Sequence, residues 1–305
     1  MSNVVCIGEC MLELARAGSG WRLAYGGDTF NTALYMRRLG LPVAYLTALG
    51  ADSFSAGMRT SWEEEGIDMS LVLTDATRLP GMYAITTNVA GERSFSYWRS
   101  QSAARRLFGL AGIESALAAA RAAKLLYLSG ITLSLFSPTE REALKGLARD
   151  VRNNGGVVAF DPNYRPAGWS DPVTARDAIR DFAAEVSIAL PSFDDEHELW
   201  RDPTPEATSN RWSDLGARES IVKLGSQGCL VSAGGAMEYL PAIAAPTTVD
   251  TTGAGDSFNA AYLAARFKGL DFRAAAMAGN RLGSIVVQHA GAILPMTASI
   301  DGIWA

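Results

Sequence analysis

Cysteine and histidine are scarce in this sequence, which has three of the first and two of the second among 305 residues. Cys6, Cys10 and Cys229 form no Cys-x-x-Cys pair, and the histidines are only His197 and His289. A structural zinc site and a disulfide framework are therefore not expected. Reduced core thiols in a cytoplasmic protein are the expected state of the cysteines.

A positive charge excess and long apolar runs are also lacking. The net charge is −5, which argues against a broad surface for nucleic acid or anionic membranes. No apolar run reaches transmembrane length, and residues 1–9 lack the basic start and long apolar core of a signal peptide. Nucleic acid and membranes are not expected as partners, so an anionic ligand must be held by a local site.

Two nucleotide-binding motifs are missing. The sequence has no Gly-x-x-x-x-Gly-Lys-[Ser/Thr] loop, and its first predicted strand lacks the glycine fingerprint of dinucleotide-binding folds. If a nucleotide binds, it binds in another architecture. Strand-like and helix-like segments alternate along most of the chain, which predicts an α/β fold with a mostly parallel sheet. The length allows one large domain or two smaller ones.

The segment 247–260 reads Thr-Thr-Val-Asp-Thr-Thr-Gly-Ala-Gly-Asp-Ser-Phe-Asn-Ala. Its Thr/Val-rich start over 247–252 predicts a strand, its glycines a turn, and the apolar spacing a helix over 257–267. A helix that begins at such a turn presents unpaired N–H groups and a positive dipole end, so the turn is a candidate anion site. Asp256 lies where a bound anion would lie; alternatively, it only caps the helix.

An anion site with a carboxylate beside it suits phosphoryl transfer, because the carboxylate can accept the proton of an attacking hydroxyl. A helix N-terminus stabilises the charged form of an aspartate, so the pKa of Asp256 is not expected to be strongly raised. We expect Asp256 to act mainly within a closed, water-excluded complex.

A second glycine segment, Gly26-Gly27-Asp28-Thr29-Phe30-Asn31, precedes a predicted helix over 32–39. Paired glycines allow close backbone approach, and Asp28 and Asn31 project from one side of the first helical turn. These side chains suit sugar hydroxyls. An N-cap and a first-turn polar residue explain them equally well.

Residues 81–99 predict a hairpin that turns at 90–92, and together with 9–25 they predict a small sheet beside the main one. Phe95, Tyr97 and Arg99 share one face of the hairpin, and Tyr83 is expected to join them from the partner strand. An arginine with tyrosines nearby suits a substrate carboxylate. The alternative is a surface or dimer-contact sheet, where both residue types are also enriched.

Polar residues follow the predicted strands at 157–160 and 187–190, where an open α/β sheet places its ligands. They are Asp161, Asn163, Arg165 and Ser192. The next predicted helix begins with the acids Asp194, Asp195 and Glu196. These acids either complement the helix dipole or orient hydrated Mg²⁺ through one carboxylate.

The motifs at 253–256 and 26–31 together resemble those of the ribokinase-like (PfkB-type) carbohydrate kinases, and the resemblance covers essentially the whole chain. Within that family the sequence is most similar to 2-keto-3-deoxygluconate kinases. The similar segments are 7–11, 26–29, 45–50, 52–55, 78–83, 91–93, 97–99, 126–131 and 161–166. The resemblance implies one three-layer α/β/α kinase domain over 1–305, with lid strands inserted at about 9–25 and 81–99.

The resemblance also implies residue roles. Asp256 matches the catalytic base, and the amides of Gly253, Ala254, Gly255 and Asp256 match an anion hole for the transferring phosphate. Substrate contacts are implied for Gly27, Asp28, Asn31, Tyr83, Tyr97, Arg99 and Arg165. Nucleotide contacts are implied for Asn163, Ser192, Lys223, Gly225, Ser226, Gly228, Gly253 and Gly255.

The family's Asn-x-x-Glu motif is replaced here by Ser192-Phe193-Asp194-Asp195-Glu196. The Mg²⁺ ligand is therefore to be found among three acids, and Asp195 and Glu196 are the expected ones. Neither histidine has a family role.

The implied reaction is ATP-dependent phosphorylation of the C6 hydroxyl of 2-keto-3-deoxy-D-gluconate, with Arg99 paired to the sugar carboxylate. A fructokinase or another neutral-sugar kinase is the nearest alternative, although a neutral sugar gives no reason for an arginine there. A non-catalytic sugar-binding protein is the third hypothesis. The 253–256 segment argues against it, because it keeps the residues of the family's catalytic motif. A homo-oligomer is expected, with a dimer through the lid sheet as one form.

Overall fold

The computed structural model describes residues 3–18, 20–87 and 93–304, so the hairpin turn expected at 90–92 lies outside the described residues. Within these ranges the strands are β1 Val4–Ile7, β2 Met11–Ala17, β3 Gly20–Gly26, β4 Val43–Gly50, β5 Val72–Asp75, β6 Met82–Thr87, β7 Arg93–Trp98, β8 Leu125–Ser129, β9 Val157–Asp161, β10 Ile188–Ala189, β11 Glu219–Lys223, β12 Cys229–Ala233 and β13 Ala236–Leu240. The α-helices are α1 Asp28–Arg38, α2 Ser53–Glu64, α3 Ile113–Ala120, α4 Gly130–Leu135, α5 Pro138–Asn153, α6 Pro172–Ala183, α7 Phe193–Trp200, α8 Pro205–Asp214, α9 Ala254–Phe267 and α10 Phe272–Val286.

The large sheet has nine strands in the order β13-β12-β11-β10-β9-β8-β1-β4-β5. The strands from β11 to β5 pair in parallel, whereas β12 and β13 extend the sheet antiparallel. Parallel strands need crossover connections, and helices supply most of them here. The prediction of a mostly parallel α/β sheet is confirmed.

Helices cover both faces of this sheet. Along β1, Val4 and Cys6 point into one apolar core and Val5 and Ile7 into the other, as strand alternation requires. The first core contains residues of α1, α2, α9 and α10, and the second contains residues of α3, α5, α6 and α8. The fold is therefore the expected three-layer α/β/α arrangement. No helix of the described residues has the length and apolarity needed to span a bilayer.

Local capping explains where several helices begin. Ser137 accepts a hydrogen bond from the amide of Glu140, whose side chain reaches back to Ser137, and Pro138 occupies the first helical position of α5. The Asp171 side chain caps α6 by accepting a hydrogen bond from the amide of Thr174, and Pro172 again occupies the first helical position.

The small sheet has four strands in the order β3-β2-β6-β7. β2 and β6 pair in parallel, while β3 and β7 flank them antiparallel. The chain enters this sheet just after β1 and leaves it at Gly26, directly before α1. It returns to the sheet for β6 and β7.

The prediction of a strand over 247–252 is wrong, because these residues form a loop. The amides of Val249 and Asp250 both donate to the carbonyl of Val287, at 2.8 and 3.1 Å. The Asp250 side chain accepts hydrogen bonds from the amides of Thr252 and Gly291. Contacts with residues after α10 therefore hold the segment, instead of a sheet neighbour.

Packing of Trp62 gives a test of the core. Trp62 in α2 is fully buried and stacks on Phe30 of α1, with ring centroids 4.4 Å apart. We expect Trp62→Ala to lower the free energy of unfolding by about 3–5 kcal/mol, because it leaves a cavity. Urea unfolding followed by circular dichroism measures this loss. Phe54→Ala in the same helix is the control, since Phe54 is 48% exposed. Similar losses of unfolding free energy in the two variants would contradict the placement of Trp62 in the core.

Candidate active site

The N-termini of α1 and α9 meet at the carboxyl edge of the large sheet. Asn31 Nδ2 donates to Asp256 Oδ2 at 2.8 Å, although the residues are 225 positions apart. Thr32 Oγ1 adds a bond of 3.2 Å to the carbonyl of Asp256. The structure therefore brings the two glycine motifs together, with Asp256 at their contact.

Asp28 is held by the segment after β9. Asn163 Nδ2 donates to Asp28 Oδ2 at 2.9 Å, and the amide of Asn163 donates to Asp161 Oδ1 at 3.1 Å. The φ of Asn163 is +34°, a region that residues other than glycine seldom occupy. Such backbone conformations cluster at functional sites, where surrounding contacts hold them. Asn163 thus contacts the glycine segment 26–31 through Asp28.

Gly27 precedes α1 and cannot be replaced without a clash. A Cβ at this position would lie 2.2 Å from the carbonyl oxygen of Glu9. The amide of Gly27 donates to Asn31 Oδ1 at 3.4 Å. The glycine therefore lets the segment between β1 and β2 pass against the start of α1.

Gly253 adopts a φ of +76° and precedes the first residue of α9. A Cβ there would lie within 2.8 Å of Ala292, so glycine is required on both counts. The amide of Ala254 donates to the carbonyl of Thr251 at 3.2 Å and is already engaged. The amides of Gly255 and Asp256 belong to the first helical turn, which offers donors to an anion.

Burial raises the pKa of Asp256 to about 7, and the charge of Asp28 adds to the increase. The hydrogen bond from Asn31 and the charge of Lys223 act in the opposite direction. The expectation of a pKa without a strong rise is therefore wrong. The helix N-terminus does not outweigh the loss of water and a second carboxylate nearby.

Lys223 at the end of β11 is buried in an ionic network. Its Nζ lies 2.6 Å from Asp161 Oδ2 and 3.1 Å from Asn259 Oδ1. Asn259 Nδ2 also donates to Asp161 Oδ2, at 2.7 Å. The sequence placed Asp161 among the polar residues at the strand ends, but its pairing with Lys223 and the part played by Asn259 were not predicted. The available signal was the polar Asn259 between the apolar Phe258 and Ala260, one helical turn after Asp256.

A cavity of about 370 Å³ lies beside the start of α9. Five residues of the predicted nucleotide site line it, namely Lys223, Gly225, Ser226, Gly228 and Gly255. Ala254 also lines it, together with residues that were not predicted: Ala242, Ile243, Ala244, Ala245, Thr248, Thr251, Phe258, Gly279, Asn280, Gly283, Ser284 and Val287. The small residues of α10 leave the space for this cavity. Its mostly apolar wall and few polar groups suit a small-molecule ligand.

Three residues of the predicted nucleotide site do not line this cavity. Asn163 contacts Asp28, and Gly253 forms the turn before α9. Ser192 precedes α7 and forms a β-bridge with Lys223.

Tyr83 and Tyr97 stand directly opposite each other in β6 and β7, with ring centroids 6.0 Å apart. Tyr83 is buried and its hydroxyl donates to Glu13 Oε2 at 2.5 Å, whereas Tyr97 is half exposed. Arg99 follows β7, and its Nη2 lies 2.5 Å from Glu9 Oε2. Two of the groups expected to hold a substrate therefore contact carboxylates of the protein itself.

The acids of α7 differ in their surroundings. Asp195 Oδ1 accepts a hydrogen bond from Arg165 Nη1 at 2.8 Å. Glu196 is fully buried and pairs with Arg211, while Trp212 Nε1 donates to its Oε2 at 3.2 Å. The structure thus brings Asp195 to Arg165 and directs Glu196 into the core beside α8. Among the described residues, no group of three His, Cys, Asp or Glu side chains forms a ready metal site.

The fold and this site define a ribokinase-like kinase. The sequence model of the pfkB family carbohydrate kinases matches residues 1–299. The chain therefore belongs to this family. A 2-dehydro-3-deoxygluconokinase of Escherichia coli (strain K12) is 42% identical over 305 residues, covering 97% of this chain and 98% of that protein.

Two solved structures share the fold. An Escherichia coli protein titled as a ribokinase II, in complex with ATP and Mg²⁺, has a TM-score of 0.83 and 25% identity, covering 96% of this chain and 94% of that one. Aminoimidazole riboside kinase from Salmonella enterica, complexed with aminoimidazole riboside and an ATP analog, has a TM-score of 0.81 and 26% identity, covering 95% and 94%.

The raised pKa of Asp256 predicts a pH dependence of stability. Because the folded protein keeps the Asp256 proton up to about pH 7, it binds more protons than the unfolded chain above about pH 4. The stabilisation present at low pH is therefore lost as the pH rises through 7. When the pH rises from 4.5 to 8, the free energy of unfolding should therefore decrease less in Asp256→Asn than in the wild type. Urea unfolding at each pH measures this decrease.

The exposed Asp214→Asn variant, at the end of α8, is the control and should follow the wild-type pH profile. A constant difference between Asp256→Asn and the wild type across this pH range would exclude the raised pKa.

Proposed function

We propose that this protein transfers the γ-phosphoryl group of ATP to the C6 hydroxyl of 2-keto-3-deoxy-D-gluconate. The observation that carries the proposal is the position of the first turn of α9. Ala254 and Gly255 line the 370 Å³ cavity, while the next residue, Asp256, is hydrogen-bonded to Asn31 of the other glycine motif. A nucleotide on one side and a sugar on the other would both reach this turn.

The choice of substrate is supported by the relative at 42% identity, which is a 2-dehydro-3-deoxygluconokinase, the systematic name for the same activity. ATP and Mg²⁺ are supported by the Escherichia coli structure that contains both. The buried, free cysteines fit a protein of the reducing cytoplasm.

Asp256 is the proposed general base. Its pKa of about 7 lies near neutral pH, where a base both accepts protons and is available in its charged form. Asn31 donates to Oδ2 and so fixes the carboxylate while leaving Oδ1 for the sugar hydroxyl. The hydroxyl oxygen forms the new bond to the γ-phosphorus, its proton passes to Asp256, and ADP leaves with the electrons of the broken P–O bond.

Charge on the transferring group is proposed to be stabilised by backbone donors and cations. The free donors are the amides of Gly255 and Asp256, at the positive end of the α9 dipole. Lys223 supplies a buried positive charge, and its Nζ lies 3.8 Å from where a Cβ of Gly255 would be. Arg165 is half exposed and held by Asp195, so its guanidinium is positioned without being buried.

Mg²⁺ is proposed to be held mainly by the nucleotide phosphates and water, with one protein carboxylate. Asp195 fits this role better than Glu196, because Glu196 is committed to Arg211 and Trp212 inside the core. A single carboxylate is a common protein contribution to Mg²⁺ in nucleotide enzymes. When bound, the ion neutralises phosphate charge.

We also propose that the chain acts as one kinase domain whose small sheet serves as a lid. Tyr83 and Tyr97 of this sheet, and Arg99 directly after β7, would contact the acid sugar from above. Closure would exclude water from Asp256 and the phosphates.

A dimer through the small sheet is proposed from its exposed apolar residues. Trp21, Leu23 and Trp98 share the sheet face opposite Tyr83 and are between 48 and 57% exposed. We expect Trp21→Ser/Trp98→Ser to shift the protein to a monomer in sedimentation velocity, because the buried apolar area would be lost. Val173→Ser, a change at another exposed apolar residue, is the control. A monomeric wild type would refute the proposal.

A coupled ADP-release assay on a panel of acid and neutral sugars tests the proposed reaction. We expect 2-keto-3-deoxygluconate to have the highest kcat/KM in the panel. Asp256→Asn should reduce kcat at least a hundredfold while leaving nucleotide binding nearly unchanged, since only the proton acceptor is removed. Asp214→Asn should match the wild type. A preference for fructose would favour the neutral-sugar alternative, and near-normal turnover of Asp256→Asn would refute the base assignment.

A further inference from the structure

The junction between β1 and the small sheet contains buried polar atoms that lack hydrogen bonds. Within the described residues these atoms are both carboxylate oxygens of Glu9, Nε and Nη2 of Arg99, Oγ of Ser102 and Nε of Arg105. The Glu9 side chain is 1% exposed and that of Arg99 19%. Buried polar groups are normally hydrogen-bonded, so such a group of exceptions needs a physical explanation.

The ion pair between Glu9 and Arg99 is held by charge without a formed hydrogen bond. Nη2 and Oε2 are 2.5 Å apart, yet the guanidinium is not oriented to donate to the carboxylate. A carboxylate that approached in the plane of the guanidinium would form two parallel hydrogen bonds, which are stronger and more specific. Glu9 is therefore a partner of the Arg99 guanidinium that a better-oriented carboxylate can replace.

This pair lies against the predicted sugar motif. The carbonyl oxygen of Glu9 lies 2.2 Å from where a Cβ of Gly27 would be, and Glu9 Oε1 lies 2.8 Å from the corresponding point at Gly81. Neither position has room for a side chain. The glycines thus keep the Glu9–Arg99 pair between the start of α1 and the start of β6.

Arg105 is the second cation of the group. It lies in the short 3₁₀-helix Ala104–Gly109, and its Nη1 donates to the carbonyl of Leu135 at 3.3 Å. Its pKa is lowered first by burial and then by the charge of Arg99, while Glu9 acts in the opposite direction. Its Nε is buried without a hydrogen-bond partner, so this cation can take up a carboxylate that moves toward it.

The charges of this group do not balance. Arg99 and Arg105 carry two positive charges, and Glu9 carries one negative charge. Glu13, the other buried acid of this region, accepts the Tyr83 hydroxyl and lies 3.6 Å from Arg22. One positive charge is left over, so a single ligand carboxylate would make the group neutral.

We propose that Glu9, Arg99 and Arg105 form a carboxylate-exchange site, in which the carboxylate of an acid sugar replaces Glu9 on Arg99 and Arg105 becomes the counter-ion of Glu9. This inference rests on the proposed function and adds two positioning residues to it. Glu9 makes the binding of a carboxylate alone weak, because every anion must displace it. An acid sugar compensates through its hydroxyl groups at the Asp28, Asn31 and Asp256 end.

The test compares Glu9→Gln, Arg105→Gln and the double variant in steady-state kinetics with 2-keto-3-deoxygluconate at saturating ATP. Glu9→Gln should lower KM for the acid sugar about three- to tenfold and make pyruvate a stronger competitive inhibitor by a similar factor, since the competing charge is gone. Arg105→Gln should raise KM about tenfold. The double variant should return close to the wild-type KM, and kcat should change less than KM throughout.

Two control variants separate exchange from a merely structural role. Arg105→Lys keeps the positive charge and should keep the wild-type KM, even if Arg105→Gln folds poorly. Arg106→Gln changes the neighbouring exposed arginine, which contacts Thr77 and Asp75, and should match the wild type. Melting curves of all variants verify that each one is folded.

A higher KM for Glu9→Gln would overturn the proposal, because Glu9 would then only hold Arg99 in place. Unchanged KM values in Arg105→Gln would overturn it as well. If the wild type phosphorylated neutral sugars and no acid sugar, the proposed function itself would fail, whatever the variants did.

Discussion

The hydrogen bond between Asn31 and Asp256 is the contact on which the site depends. It joins the first turns of α1 and α9, two helices whose positive dipole ends converge at the carboxyl edge of the large sheet. Asp256 is thereby oriented by a donor from the other motif instead of serving as a simple cap. The N-cap position is occupied by Gly253, which has no side chain to cap the helix. Asp256 is therefore left available for chemistry.

Three aspartates crowd this edge, and each has a different partner. Asp161 faces the ammonium of Lys223, Asp28 accepts from the neutral amide of Asn163, and Asp256 accepts from the neutral amide of Asn31. A charge partner stabilises a carboxylate more than an amide does. Burial raises the pKa of Asp28 and of Asp256, and the charge of Asp28 raises the pKa of Asp256 further. Asp256, whose pKa is about 7, is thus the carboxylate of this edge that can exchange protons near neutral pH.

Features set by short-range contacts could be predicted from the sequence. The starts of α5 and α6 follow from Ser137-Pro138 and Asp171-Pro172, and the pairing of Tyr83 with Tyr97 follows from strand alternation. Features set by distant residues could not. The loop over 247–252 looks like a strand locally but is bonded to residues after α10.

In the candidate site, too, features set by local sequence could be predicted and features set by distant residues could not. The glycine motifs and Asp256 could be located in the sequence, because their residue types and order are specific. The pKa of Asp256 depends on Asp28, which lies far away in sequence. The burial of Glu196 likewise depends on Arg211 of α8, a partner that no local pattern identifies.

The connections of the small sheet explain how its position can affect the surroundings of Asp256. The chain leaves β1, passes Glu9, forms β2 and β3, and re-enters the main fold at Gly27, immediately before α1. The amide of Gly27 contacts Asn31, and Asn31 contacts Asp256. A displacement of β2 and β3 therefore acts on the start of α1 within a few residues of the Asp256 contact. Since the carbonyl of Glu9 packs against Gly27 with no space for a side chain, the two segments must move together. The proposed sugar binding at the small sheet and the proposed proton transfer at Asp256 would thus be coupled through one short, tightly packed segment of chain.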